Sequence, residues 1–129
     1  LRIFEATLDN ITNYSMAKFY LRMFGTRSRF EKNRARIPTR TEKSLHDELR
    51  WLYNRMMEPV ETGFVWDYTL IGAEDRVFRA QNLTSYWSMH IETRQIIVEA
   101  PHFLFDNWNS LDDLIRYVRR FRLSPFRNK

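Results

Sequence analysis

Apolar residues in this chain change their spacing twice. Between residues 7 and 24 they fall at Leu8, Ile11, Tyr14, Met16, Ala17, Phe19, Tyr20, Leu21, Met23 and Phe24, a helical distribution that is apolar on nearly every side after Met16. Gly25 supplies a left-handed stop. A second helix is expected over 41–57, where Leu45, Leu49, Leu52 and Met56 form one stripe behind a Thr39-x-x-Glu42 capping box and ahead of Pro59. From residue 64 the period falls to two. Phe64, Trp66, Tyr68 and Leu70 alternate with Val65, Asp67, Thr69 and Ile71, which reads as a strand. Gly72-Ala-Glu-Asp75 then reads as a turn, and further strands are expected over 77–83, 86–92 and 95–100. The helical period returns at 111–121 behind a Ser110 cap, with acids in its first turn and arginines in its last.

These elements predict an α+β fold: an N-terminal helix, a basic arm, a helix, a four-stranded antiparallel meander and a C-terminal helix. The expected organisation is an interaction helix at 1–24, a basic extended arm at 25–40, an α+β domain at 41–122 and a basic tail at 123–129. At 129 residues there is material for one core rather than two independent domains. No run approaches the ~20 apolar residues of a membrane span.

The order of elements over 41–121 is similar to that of a Src-homology-two domain. Met89-His-Ile91, the stretch 95–99 and the run from Asn109 to Tyr117 carry this resemblance. In that family an arginine of a Phe-Leu-Val-Arg strand grips phosphate. The matching stretch here, Phe64-Val-Trp-Asp67, ends in an acid, so the resemblance implies a topology and no phosphotyrosine site.

Net charge is +5, but it is segregated. Residues 18–43 carry +7, residues 44–113 carry −7 and residues 114–129 carry +6. Arginine outnumbers lysine 17 to 4, a balance suited to carboxylate, phosphate and interface contacts. In the arm, Arg27, Arg29, Lys32, Arg34, Arg36 and Arg40 are interleaved with Phe30, a pattern that fits an acidic protein surface, single-stranded RNA or anionic lipid head groups. Met16, Phe19, Tyr20, Met23 and Phe24 are the expected partner-binding residues of the first helix.

Candidate chemistry is sparse. There is no cysteine, which excludes disulfides and thiolate sites. Neither a Gly-x-Ser-x-Gly elbow nor a Gly-rich phosphate loop occurs. His46 stands beside Asp47 on an exposed helix face. His90 and Glu92 share a face of an expected strand, which a general-base pair or an ordinary solvated face would both produce. His90, His102 and Asp106 follow no metal-ligand spacing. The resulting expectation is a non-enzyme without metal or cofactor: an accessory, scaffold-type subunit binding other subunits of a larger assembly. An RNA-contacting subunit of a ribonucleoprotein, such as a mitochondrial ribosome, is the alternative. A cysteine-free, basic chain that starts at Leu1 is expected to be a processed product or fragment in an intracellular compartment, mitochondria foremost.

Overall fold

A computed structural model describes residues 2–58 and 64–121. The chain forms two compact units, Leu1–Phe64 and Val65–Lys129.

The first unit is helical. It contains α1 (Arg2–Leu8), α2 (Asn13–Phe24), α3 (Arg27–Asn33), a 3-10 turn at Arg34–Arg36 and α4 (Glu42–Met56). The expected helix over 7–24 is therefore two helices. The break is set by Thr12, whose hydroxyl accepts from the Ser15 N–H at 3.1 Å while the Ser15 hydroxyl accepts from the Thr12 N–H at 2.8 Å. That reciprocal box starts a new helix. Gly25 ends it at φ 78°, donating its N–H to Leu21. The helix α4 is capped by Thr41, which accepts from the Ser44 N–H at 3.1 Å, and not by Thr39. Tyr53 on α4 donates its hydroxyl to Glu5 on α1 at 2.6 Å, which holds the phenol above its ordinary pKa.

The second unit contains β1 (Tyr68–Gly72), α5 (Ala80–Trp87), β2 (Arg94–Val98), a 3-10 turn at Phe105–Asn107 and α6 (Leu111–Arg119). The strands pair in parallel, Tyr68 against Arg94 through Gly72 against Val98. This replaces the expected four-stranded antiparallel meander. Parallel strands require a crossover, and α5 provides it. The stretches read as strands over 77–83 and 86–92 are a turn, this crossover helix and the turn after it. The topology also departs from the Src-homology-two resemblance. The basic tail expected at 123–129 lies outside the described residues.

Ile96, Val98 and Ala100 form the buried cluster of this unit, with Tyr68, Leu70, Leu104, Trp108, Tyr117 and Val118 packed against it. Ile71, also from β1, is 1% exposed. Leu49 and Leu114, at apolar positions of α4 and α6, are only half-buried, and Trp66 is 55% exposed. Truncating Ile96 to Ala should therefore cost about 2–5 kcal/mol, and Trp66→Ala less than about 1 kcal/mol. Thermal melts of the two variants check this ranking; equal losses would displace the assigned core.

A histidine–aspartate pair beyond the strand ends

Both strands of the parallel pair deliver a polar side chain just past their carboxyl ends, where open α/β sheets place their sites. Asp75 follows β1 and His102 follows β2. The Nδ1 atom of His102 lies 2.9 Å from Oδ2 of Asp75. Oδ1 of the same carboxylate accepts the backbone N–H groups of Val77 at 2.7 Å and Phe78 at 2.9 Å. The Asp75 side chain is 5% exposed and that of His102 32% exposed.

An ionised carboxylate only accepts hydrogen bonds, so the shared proton sits on Nδ1 of His102. That tautomer leaves Nε2 as a lone-pair acceptor, which is the form a general base needs. A buried carboxylate with three donors directed at it is a fixed orienting group.

Three backbone features position the pair. The turn after β1 is tied to the segment after β2: Ala73 N–H donates to Val98 at 2.8 Å and Glu74 N–H to Ala100 at 3.0 Å. The Asp75 N–H closes back on the Gly72 carbonyl at 3.2 Å. Gly72 permits the approach. A Cβ there would lie 2.5 Å from the Pro101 carbonyl oxygen and 2.6 Å from that of Ala100. Only a residue without a side chain lets the two strand exits come this close.

Beside the sheet, a largely apolar cleft of about 480 Å³ is lined by Trp66, Tyr68, Leu70, Trp87, Trp108 and Leu114, among others.

The candidates chosen from sequence lie elsewhere. Met16, Phe19, Tyr20 and Met23 are half-buried on α2, and Phe24 is 3% exposed, its ring 6.2 Å from Phe30. Phe30 is thus a packing residue of the helical unit. The arm is not extended. Thr26 caps α3 by accepting from the Arg29 N–H at 3.3 Å, and Asn33, 1% exposed, donates to the Arg29 carbonyl at 2.9 Å. Arg27, Lys32, Arg34, Arg36 and Arg40 are exposed and Arg29 is half-buried. Arg34 stands 3.7 Å from Glu31, and Arg40 pairs with Glu48 and with Ser44. His90 is packed 4.8 Å from Tyr86 and 5.4 Å from Trp87, ring to ring, in the turn after α5, so it shares no strand face with Glu92. Among the described residues no group of three His, Cys, Asp or Glu side chains is placed to hold a metal ion.

Sequence reading assigned Asp75 to a turn and found no metal-ligand spacing for His102, so the pair was missed. The available signal was a short apolar run followed by Gly72-x-x-Asp75, and a second one ending at Pro101-His102.

A parallel β-α-β unit carrying a histidine and a buried acid beyond its strand ends defines an α/β arrangement with its polar pair where such sheets place their sites. The family model of pimeloyl-ACP methyl esterase BioG matches residues 1–114, and the chain belongs to that family. A crystal structure of BioG from Haemophilus influenzae shares the fold with a TM-score of 0.77 at 24% identity, over 86% of this chain and 51% of that one. A curated Haemophilus influenzae protein described as uncharacterized is 27% identical over 115 residues, 86% of this chain and 52% of its own length. A malonyl-[acyl-carrier protein] O-methyltransferase of Bacteroides fragilis is 32% identical over 88 residues, 68% of this chain and 18% of its own length. The chain thus spans about half the length of the first relative and under a fifth of the second.

These findings overturn four expectations. The family is one of enzymes, so the non-catalytic accessory subunit and its ribonucleoprotein alternative both fall. The non-enzyme reading falls with them. The relatives are bacterial, which removes the mitochondrial location.

If the close approach at Gly72 holds the pair together, Gly72→Ala should separate Asp75 from His102 and lower the melting temperature by several degrees. Imidazole NMR of His102 and a thermal melt read the two effects. An unchanged Nδ1 proton resonance would sink the argument.

Proposed function

We infer that this chain supplies the base and the orienting acid of a serine-type ester hydrolase acting on the methyl ester of pimeloyl-acyl carrier protein. One observation carries the reading: Nδ1 of His102 at 2.9 Å from a carboxylate that is itself 95% buried and held by two backbone N–H groups. The family description supplies the substrate. In α/β-hydrolases the triad runs in the order serine, acid, histidine, and Asp75 precedes His102 here. The sequence contains no Gly-x-Ser-x-Gly, so the nucleophile is assigned to the part of the family's length that this chain does not span.

In this reading Nε2 of His102 removes the serine proton as the serine oxygen attacks the ester carbonyl. The tetrahedral intermediate collapses, the carbonyl–methoxy bond breaks, and Nε2–H protonates the departing oxygen to give methanol. Water then repeats the sequence against the acyl-enzyme and releases the free acid. Asp75 stays ionised throughout, keeps Nδ1 protonated and stabilises the imidazolium. The similarity to a methyltransferase supports no transfer step in this reading, since it covers 18% of that protein.

A chimera in which this chain replaces the matching half of Haemophilus influenzae BioG tests the proposal by methanol release from pimeloyl-ACP methyl ester. Asp75→Asn and His102→Gln should each lower kcat by about 10³–10⁴-fold with the fold intact. Retention of activity within about threefold by His102→Gln would remove it from the mechanism.

The same reading assigns the exposed cations Arg27, Arg34 and Arg36 to contact with the carrier protein. Reversing all three to Glu should raise KM for the carrier-bound ester about tenfold or more and leave a small methyl ester unaffected. Equal loss on both substrates would show that the cations serve the fold instead.

A further inference from the structure

Phe78 meets both members of the pair, by two different parts of itself. Its backbone N–H donates to Oδ1 of Asp75 at 2.9 Å. Its ring lies 5.4 Å from the His102 ring, centroid to centroid, at 61°, an edge-to-face contact. Yet the residue is 53% exposed, so hydrophobic burial in the core does not account for its placement.

The Nδ1 bond to Asp75 fixes one atom of the imidazole. Coupled changes in χ1 and χ2 can still tilt the ring about that atom, and such a tilt swings Nε2. A rigid aromatic neighbour at an angle to the ring opposes the tilt. A flexible aliphatic side chain of similar bulk would follow it. Directional control of this kind is what a proton-transfer group needs, because small misplacements at the reacting atom are costly.

We propose that Phe78 is a positioning residue: its ring sets the orientation of His102 while its backbone helps hold Asp75. The proposal rests on the hydrolase reading for its purpose, but its geometry is measured independently of activity. The backbone half survives any substitution at position 78 other than proline, whereas the ring half does not, so the two are separable.

The test is imidazole NMR on the ¹⁵N-labelled 129-residue chain, with the three histidine rings assigned through His102→Gln. The His102 signal should report the Nδ1–H tautomer with a slowly exchanging proton. Phe78→Ala and Phe78→Leu should each speed that exchange about fivefold, the size expected for one aromatic pair. Phe78→Tyr should restore the slow rate. The position-78 amide should stay protected in all three variants. Unchanged exchange in Phe78→Ala, retention by Phe78→Leu, failure of Phe78→Tyr to rescue, or loss of the amide protection would each overturn the positioning role. A chimera whose ester hydrolysis ignores His102→Gln would end the hydrolase reading and leave the exchange result at position 78 as it was.

Discussion

The second unit depends on one close approach. At Gly72 the last residue of β1 meets the carbonyls of Ala100 and Pro101 at a distance no Cβ could occupy. This contact sets where the chain leaves each strand. It lets Ala73 and Glu74 donate to Val98 and Ala100, so the exits of two strands distant in sequence are stitched together. Once they are stitched, Asp75 and His102 must come within hydrogen-bonding distance, because each is only a few residues past its own strand. Steric permission at one glycine thereby becomes the geometry of an acid–base pair. Burial supports it: Pro101 and Ala100 are among the most enclosed residues of the chain.

The helical unit is organised by capping rather than by a large core. Only Leu8, Phe24 and Asn33 are buried there among the described residues, whereas α2, α3, α4 each start with a threonine hydroxyl accepting a backbone N–H. Such caps stabilise by about 1 kcal/mol each. They also dispose of orphan donors that would otherwise need water or tertiary partners. The arginines of α3 and the turn after it are consequently displayed on regular backbone. An ordered display loses less entropy on meeting a partner than an extended arm would.

Helices with strong ends were legible in the sequence, and their boundaries follow from named caps. Ser110 and Gly25 start and stop their helices as expected, while α4 is capped by Thr41, two residues past the expected Thr39. The segment 77–92 was not legible. Trp87, Met89 and Ile91 alternate as in a strand, but Ala80, Leu83 and Trp87 also recur at helical spacing, and the parallel pairing of β1 with β2 decides for the helix. Period alone could not choose, since the deciding interaction lies between residues far apart in sequence. Asp75 and His102 were hidden for the same reason. Each has an ordinary local explanation, a turn acid and a residue after a strand. Their chemistry exists only when the strand ends adjoin.

An Asp–His pair can also be merely structural, and asymmetry of burial separates the two cases. A structural pair gains most when both partners are enclosed and every donor and acceptor is satisfied. Here the acid is enclosed and held by backbone N–H groups, while about a third of the imidazole remains open. The buried acid forces the proton onto Nδ1 and thereby directs the unprotonated nitrogen away from itself. That arrangement has no stabilising purpose that a second buried hydrogen bond would not serve better. On the hydrolase reading proposed above it has a chemical one: it presents a lone pair, in a fixed tautomer, at the end of a parallel sheet.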